Sequence, residues 1–318
     1  MEVLIYGGGA VGLGIASCLI RPGCRVEIVA RAETVAALRS EGLLRTGIFG
    51  QVHANPDTFA CCASLDDLAG GPYDFVLICT KSFDSASAAQ DLAEHGDRIG
   101  NDSKLVLFQN GWGNAETFAA HFDKRRVYNA RVITGFRRPR PNAVEITVHA
   151  DAIHIGSLFS ADNSAAEPLC RAIREGGIPC ASTAAIEKDL WAKMLYNCAL
   201  NPLGATLGVP YGALADTAST RMLMDRIVEE VFAVMLAAGY RTHWQAPKQF
   251  LDVFYSRLVP DTAEHKSSTL QDITAGKRTE IDALNGAVIH LAQEHGVAVP
   301  YNRAVHNLVR FLENARRE

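Results

Sequence analysis

The first half of the chain alternates between two spacings of apolar residues. Short apolar runs that end in glycine or polar residues predict buried strands at "EVLIYG", "CRVEIVAR", "YDFVLICTK" and "SKLVLFQNG". The segments "AVGLGIASCLI" and "AETVAALRSEG" follow the first two of these strands and have helical spacing. Strands that alternate with helices in this way predict an α/β domain with a parallel, doubly wound sheet.

The pattern changes twice further along the chain. Residues 127–156 contain two longer strand patterns, separated by a turn at "RRPRPN", and we expect them to form an antiparallel or mixed edge of the sheet. From about residue 184 no strand pattern recurs, and helical spacing is found at 184–201, 219–239, 246–258, 262–275, 279–296 and from about 301. The sequence therefore predicts an α/β domain over 1–183 and an all-α domain over 184–318.

One of these helices, "LWAKMLYNCALNP", carries three polar residues on an otherwise apolar surface. Lys193, Asn197 and Asn201 are spaced four apart, so they lie on one face of the helix. Amine and amide groups without partners are costly in a dry core, and the stripe therefore predicts the wall of a polar cavity. Two alternatives remain open. Lys193 could extend to water along its aliphatic stem, and Asn201 could cap the helix before Pro202, which should end or kink it.

The first strand–helix junction has the glycine spacing of a dinucleotide site, G-x-G-x-x-G. In "GGGAVG", Gly7 would form the tight turn, Gly9 would admit a pyrophosphate, and Gly12 would allow close packing of helix on strand. With Gly8, Ala10 and Val11, the segment would hold phosphates at a helix N-terminus. A flexible glycine turn is the alternative, but the position after the first strand of an alternating pattern indicates a Rossmann-type domain.

Residues at the ends of the next strands predict the kind of dinucleotide. NAD sites usually carry an acidic residue about 20 residues beyond the glycines, whereas the second strand here ends in Ala30 and Arg31. Arginine would pair with a 2′-phosphate, so NADP(H) is predicted, with a solvated loop arginine as the alternative. Lys81 and Asn110 follow two further strands and should line the same crevice, unless they are ordinary polar residues at strand ends.

Composition and charge argue against several other classes of protein. With 318 residues, 21% of them charged, and a net charge of −4, the chain shows no bias toward nucleic acid or an acidic membrane surface. No run reaches the ~18 apolar residues of a membrane span and no basic leader precedes the first strand, so we expect a cytoplasmic protein. The eight cysteines lack a CxxC pair, and His290 and His295 fall on a helix surface, so we expect reduced core thiols and no metal site.

A second motif in the helical half offers a partner for Lys193. "SSTLQDITAGKRTEIDALNG" joins two predicted helices through Gly276, with Ser268 in the first helix and Glu280 at the start of the second. Glu280 could face Lys193, hold a substrate hydroxyl, or merely satisfy the N-terminus of its helix. Reduction of a ketone by hydride leaves an alkoxide, for which Lys193 would be a suitable general acid.

Together these motifs resemble those of the ketopantoate reductase (2-dehydropantoate 2-reductase) family. The resemblance rests on "LWAKMLYNCALNPLGAT" and "SSTLQDITAGKRTEIDALNG", with "GGGAVG", "TK" at 80–81 and "QNG" at 109–111, and it covers nearly the whole chain. It implies a Rossmann domain followed by a helical domain related to that of 6-phosphogluconate dehydrogenase. It also implies NADPH-dependent reduction of ketopantoate to pantoate, on the route to pantothenate and coenzyme A.

The resemblance further implies a role for individual residues. Lys193 resembles the general acid of the family, and Glu280 resembles its carboxylate near the lysine and the substrate hydroxyl. Four polar residues resemble the substrate contacts, namely Asn110, Asn197, Asn201 and Ser268. The residues that resemble cofactor contacts are Gly7, Gly12, Arg31 and Lys81.

Three positions depart from the family pattern. Asn142 stands where a turn glycine is usual, and we expect it to tolerate left-handed backbone. Thr147 replaces a frequent histidine, and His265 stands where some members carry an asparagine that touches substrate. A reductase of another 2-oxo or β-keto acid is therefore one alternative, and a non-catalytic NADP(H)-sensing protein is another. The expected partners are a small 2-oxo acid and a second copy of the chain in a homodimer.

Overall fold

A computed structural model describes residues 1–20, 23–159 and 162–315, and the chain divides into two compact units. The first unit contains residues 1–109 and 114–186, and the second contains residues 110–113 and 187–318. The first is α/β and the second is helical, so the predicted fold class is confirmed. Within the described ranges, no helix combines the length and the apolarity that crossing a membrane requires.

The first unit contains strands and helices in alternation. The strands are β1 Glu2–Tyr6, β2 Arg25–Val29, β3 Leu43–Gly47, β4 Val52–Ala54, β5 Ala60–Cys62, β6 Phe75–Ile78, β7 Lys104–Leu107, β8 Val127–Arg140, β9 Ala143–Gly156 and β10 Cys180–Ser182. The helices are α1 Ala10–Leu19, α2 Ala32–Glu41, α3 Ser85–Glu94, α4 Gly96–Ile99, α5 Asn114–Ala119 and α6 Glu167–Glu175.

The strands form one sheet in the order β4-β3-β9-β8-β7-β6-β1-β2-β5, with β10 paired to β9. β1 pairs in parallel with β2 on one side and with β6 on the other, and β7 and β8 continue the parallel run. From β1 the chain first adds β2 on one side and later adds β6 on the other side, so the strand order reverses at β1. In such sheets the carboxyl ends of the strands flanking this point form the ligand crevice, so the glycine segment after Tyr6 begins there.

Buried apolar residues cover both faces of this sheet. One face carries a core that includes Leu13 of α1 and Ile173 of α6, and the other carries a core that includes Leu92 of α3 and Phe118 of α5. Strands that are buried on both faces read as continuous apolar runs, which is why the sequence indicated them so clearly.

The pair of long strands is antiparallel, as predicted, but it does not form the edge of the sheet. β3 and β4 lie beyond β9. β3, "LLRTG", begins with only two large apolar residues and β4 has only three residues, so neither gave an apolar run. β8 runs to Arg140, so the turn is confined to Pro141 and Asn142. Asn142 does not adopt left-handed backbone, because positive φ among the described residues is confined to glycines. Its buried side-chain amide instead donates a hydrogen bond to the carbonyl of Gly42 at 2.9 Å.

Besides a π-helical segment at Phe254–Leu258, the second unit contains seven α-helices in the described ranges. They are α7 Ile186–Leu207, which begins at the last residue of the first unit, α8 Tyr211–Ala215, α9 Ala218–Ala237, α10 Pro247–Val253, α11 Ser268–Thr274, α12 Asn285–Glu294 and α13 Pro300–Ala315. Two predicted helices are shorter than expected, since α11 starts at Ser268 rather than 262 and α12 starts at Asn285 rather than 279. Glu280 therefore lies in the turn before α12 rather than in the helix itself, and its carbonyl accepts the N–H groups of Ala283 and Leu284.

α7 continues through Pro202, although the sequence predicts an end or a kink there. A proline lacks the N–H that would bond to the carbonyl four residues earlier, here that of Cys198. The side chain of Asn285 supplies the missing donor, with Nδ2 at 3.1 Å from the Cys198 carbonyl oxygen. Because the helix extends to Leu207, Asn201 is not its C-terminal cap.

Candidate active site

The glycine segment forms a close turn between β1 and α1 that only glycine can adopt. Gly7 has φ +116°, and a Cβ on it would lie 2.8 Å from backbone atoms of Cys79 and Thr80. A Cβ on Gly12 would lie 2.0 Å from the carbonyl oxygen of Gly7. A Cβ on Gly9, in contrast, would meet only the Cys79 carbonyl, at 3.9 Å, so this residue leaves room on the open side of the turn.

This geometry fits a dinucleotide. Gly9 is the N-cap of α1 and no side chain caps the helix at that position, so the first-turn N–H groups, which include those of Ala10 and Val11, have no acceptor within the helix. A helix N-terminus with backbone donors and a favourable dipole is suited to a pyrophosphate. The predicted roles of Gly7, Gly9 and Gly12 are therefore compatible with the structure.

The polar strand ends beside this turn are held together by Gln109, the first residue of the "QNG" motif, for which the sequence predicted no role of its own. Its Nε2 donates hydrogen bonds to the hydroxyl of Ser85 at 2.9 Å, and to the Thr80 hydroxyl and the Lys81 carbonyl at 3.3 Å each. Lys81 is half-buried and follows directly on the segment that Gly7 contacts. Arg31 is exposed and is the N-cap residue of α2, immediately after β2 and Ala30.

The helical unit contains the second group of predicted site residues. Nζ of Lys193 donates a hydrogen bond to Oδ1 of Asn110 at 2.5 Å, and Nδ2 of Asn110 donates one to Oε2 of Glu280 at 3.2 Å. The amide of Asn110 thus bridges the amine and the carboxylate, because its oxygen accepts from Lys193 and its nitrogen donates to Glu280. Glu280 is only 7% exposed, and Lys193 is half-buried. Three residues from distant parts of the sequence therefore form one polar cluster.

Asn110 reaches this cluster because the short segment 110–113 packs on the helical unit. The N–H of Trp112 donates a hydrogen bond to the carbonyl of Ala283 at 2.9 Å, and Gly111 has φ +90°. A Cβ on Gly111 would lie 2.3 Å from that same carbonyl oxygen, so the close approach requires glycine. The indole of Trp112 packs on Trp191, which lies two residues before Lys193 on α7, and on Tyr240. The ring centroids are 4.7 Å apart in both pairs. No sequence pattern linked these residues to the site.

Asn197 and Asn201 continue the stripe of α7 from Lys193, and both are buried. Oδ1 of Asn201 accepts a hydrogen bond from the hydroxyl of Tyr211 at 2.6 Å, so this amide belongs to a buried polar network. The ring of His265 contacts Tyr211 edge-on, with centroids 5.3 Å apart, and its carbonyl accepts the Tyr211 N–H at 3.1 Å. Burial lowers the pKa of His265, which keeps the imidazole neutral near pH 7.

Ser268, the last predicted substrate contact, is the first residue of α11 and is half-buried. The preceding Ser267 is fully buried and caps α11, because its hydroxyl accepts the N–H of Leu270 at 3.0 Å. The same hydroxyl lies 3.4 Å from the carbonyl oxygen of Asn201. Ser267 thus fixes the start of α11 beside the C-terminal part of the stripe, and Ser268 is positioned by it.

The cluster has the groups that a carbonyl reduction requires. The amine of Lys193 can donate a proton to an oxygen that becomes negatively charged, and the neighbouring amides can orient polar substituents. Within the described residues no group of three or more His, Cys, Asp or Glu side chains could hold a metal ion.

Two family models match the chain and together span nearly all of it. Residues 3–159 match the model described as ketopantoate reductase PanE/ApbA, and residues 185–313 match the model of the C-terminal part of the same family. The 2-dehydropantoate 2-reductase of Aquifex aeolicus (strain VF5) is 34% identical over 98% of this chain and 97% of that protein.

Solved structures show the same similarity. A PanE/ApbA family ketopantoate reductase from Ralstonia eutropha JMP134 aligns with a TM-score of 0.84 and 29% identity, covering 100% of both chains. A D-mandelate dehydrogenase solved as a ternary structure with NADH and anilino(oxo)acetate aligns with a TM-score of 0.88 over 100% of both chains. Its identity is 22%, so that likeness concerns the fold alone.

Proposed function

Since the chain belongs to the ketopantoate reductase family, we propose that it reduces 2-dehydropantoate to pantoate with NADPH, a step in pantothenate and coenzyme A biosynthesis. The observation that carries this proposal is the cluster of Lys193, Asn110 and Glu280 in the helical unit. It provides a proton donor, a bridging amide and a carboxylate, which together suit the reduction of a ketone that also bears a hydroxyl group.

In this proposal Lys193 is the general acid. When bound, NADPH would supply the hydride for the keto carbon of the substrate. As negative charge develops on the keto oxygen, Nζ of Lys193 donates its proton to that oxygen and leaves an alcohol. Asn110 holds Nζ through Oδ1, so the amine has a fixed position before the reaction, and Glu280 holds the other end of the Asn110 amide.

The remaining polar residues bind the substrate. We assign Asn197 and Asn201 of the α7 stripe, together with Glu280, to the end of the substrate that carries the hydroxyl. Ser268 and Asn110 are assigned to the carboxylate end, because an amide N–H and a hydroxyl are donors that a carboxylate accepts from. Tyr211 supports the residues assigned to the hydroxyl end, since its own hydroxyl donates a hydrogen bond to the amide of Asn201.

The cofactor assignment rests on the first unit. Residues 7–12 would hold the pyrophosphate, Arg31 the 2′-phosphate of NADPH, and Lys81 a further phosphate or the ribose. Asn110 would also contact the nicotinamide end. A carboxylate at position 31 would repel a 2′-phosphate, whereas the guanidinium attracts it. We therefore propose a preference for NADPH over NADH.

The proposal is tested by measuring NADPH oxidation with 2-dehydropantoate. The Lys193→Ala variant should lower kcat by roughly 10²–10⁴, the usual contribution of a general acid. Lys188→Ala is the matched control, because Lys188 lies on the same helix and is exposed. Near-normal turnover of Lys193→Ala would remove the lysine from the mechanism.

The same assay separates the alternatives. Activity on another 2-oxo or β-keto acid with none on 2-dehydropantoate would indicate a related reductase, a possibility that His265 raises because it lies beside the Asn201 network. Tight NADPH binding without turnover of any of these acids would instead indicate an NADP(H)-sensing protein.

We also propose the following assignments for the protein as a whole. Residues 1–183 act as the NADP-binding domain and residues 184–318 as the substrate and catalytic domain. The protein acts in the cytoplasm, where its eight cysteines stay reduced as free thiols. It assembles as a homodimer, which light scattering coupled to size-exclusion chromatography would test.

A further inference from the structure

A second arginine lies beside the glycine segment in the first unit. Arg138 is near the end of β8, 107 positions after Arg31 in the sequence. Its Nη1 donates hydrogen bonds to the carbonyl oxygen of Gly8 at 3.1 Å and to the hydroxyl of Thr34 at 3.2 Å. Thr34 is 1% exposed and lies in the first turn of α2, the helix for which Arg31 is the N-cap residue. The long strand β8 therefore brings Arg138 to the end of β2.

The two guanidinium groups are close enough to affect each other. Burial lowers the pKa of Arg138, the positive charge of Arg31 lowers it further, and the carboxylate of Glu33 partly offsets both effects. Two cations held this close repel each other, and a doubly charged anion between them would turn that repulsion into attraction. The position of the two arginines also suits a 2′-phosphate, because dinucleotide folds place the adenosine ribose at the end of the second strand.

We propose that Arg138 and Arg31 together hold the 2′-phosphate of NADP(H), with Arg138 as a specificity-determining residue. This inference rests on the proposed preference for NADPH. A phosphate monoester carries a charge of about −1.5 to −2 near pH 7, so a pair of guanidinium groups matches it better than one. The hydrogen bonds to Gly8 and Thr34 both use Nη1, and the other side of the planar fork offers the N–H groups of Nε and Nη2 to a phosphate.

A purely structural role for Arg138 makes a different prediction. If its bond to the Gly8 carbonyl only stiffens the glycine segment, losing it disturbs the pyrophosphate site that NADPH and NADH share. If it contacts the 2′-phosphate, losing it weakens binding of NADPH and leaves binding of NADH unchanged. The comparison of the two cofactors therefore separates the two roles without reference to catalytic activity.

The experiment measures dissociation constants of the full-length protein for NADPH and NADH by cofactor fluorescence. Calorimetry with adenosine 2′,5′-bisphosphate and with ADP provides a second pair of probes that differ in the 2′-phosphate. The variants are Arg138→Ala, Arg31→Ala and, as the matched control, Arg137→Ala. Arg137 is the neighbouring arginine on the same strand, it is exposed, and it pairs with Glu145 on β9.

We expect Arg138→Ala and Arg31→Ala each to weaken NADPH and adenosine 2′,5′-bisphosphate by about tenfold or more, as loss of a charge-assisted hydrogen bond does. Binding of NADH and ADP, and all binding by Arg137→Ala, should stay unchanged. Equal losses for NADPH and NADH in Arg138→Ala would assign it a structural role and overturn the inference.

Two further outcomes distinguish the inference from the proposed function. If the unmodified protein prefers NADPH and only Arg31→Ala abolishes that preference, the inference about Arg138 is wrong and the proposed cofactor stands. If the unmodified protein binds NADH as tightly as NADPH, the proposed cofactor preference is wrong and the inference is overturned together with it.

Discussion

Replacing Asn285 with leucine should destabilise the helical unit through two buried acceptors. Asn285 Nδ2 lies 3.1 Å from the carbonyl oxygen of Cys198 and 2.9 Å from Oδ1 of Asn302. All three residues are completely buried, so water cannot replace the lost donor. The first of these carbonyls is the one that Pro202 leaves without its helical N–H, which makes the asparagine a direct substitute for a backbone donor.

The size of the effect follows from these two contacts. A buried acceptor that loses its partner costs about 1–3 kcal/mol, so two acceptors cost about 2–6 kcal/mol. Leucine also removes Oδ1 of Asn285, which is itself buried without a hydrogen-bond partner, and it buries more apolar surface. These gains offset part of the loss, by about 1–2 kcal/mol. We therefore expect a net loss of about 2.5 kcal/mol in the free energy of unfolding, the midpoint of a range of about 0–5 kcal/mol.

Urea unfolding followed by tryptophan fluorescence measures this quantity in the helical unit specifically. The three tryptophans of the chain are Trp112, Trp191 and Trp244, and all of them belong to that unit. Asn307→Leu is the control, because Asn307 is exposed on α13 and its replacement adds a leucine without removing a buried donor.

A double-mutant cycle with Pro202→Ala tests the reasoning itself. Alanine at 202 restores an N–H that can bond to the Cys198 carbonyl, so in this background Asn285→Leu leaves only the Asn302 acceptor without a partner. The loss should then be smaller by about 1–3 kcal/mol than in the unmodified chain. Losses that agree within about 0.5 kcal/mol in the two backgrounds would refute the claim that Asn285 compensates for Pro202.

Two further predictions concern the site and its surroundings. Gly111→Ala should lower kcat by roughly 10²-fold, because a Cβ 2.3 Å from the Ala283 carbonyl must displace Asn110, and a shift of about 1 Å in a positioned group has that effect. Gly113→Ala is the control, since Gly113 also has positive φ but a Cβ there meets nothing within 4 Å, and an equal loss in both variants would contradict the proposed docking of Asn110. For His265, burial lowers the pKa in the folded state, so the unfolded chain binds more protons and the stability contributed by this residue rises with pH up to its unfolded pKa of about 6.5. The unfolding free energy of the unmodified protein relative to His265→Asn should therefore increase from acidic pH to pH 7.5 in urea titrations, and a difference that is independent of pH would contradict it.

Much of the architecture was predictable because local sequence carries it. Buried parallel strands read as apolar runs, helices show their period, and the turn at Gly7 and Gly12 admits only glycine, so the α/β and helical halves could be assigned from the chain alone. Short strands such as β5 and β10, with three residues each, have too few positions to show a period and were not predicted. The length of α7 was also mispredicted, because the donor that compensates for Pro202 is 83 residues away in sequence.

The sequence by itself determined the chemical groups of the candidate site, since helical spacing alone aligns Lys193, Asn197 and Asn201 on one face. Which of these groups meet residues from elsewhere was decided by the tertiary structure. Asn110 follows a strand of the α/β unit, yet it belongs to the helical unit because Gly111 and Trp112 dock on the turn at Ala283. Arg138 reaches Gly8 because β8, with 14 residues, extends well past its neighbour β7, which has four. Arg138 and Thr34, for example, are 104 positions apart. Spacing along a chain carries no information about contacts of this kind.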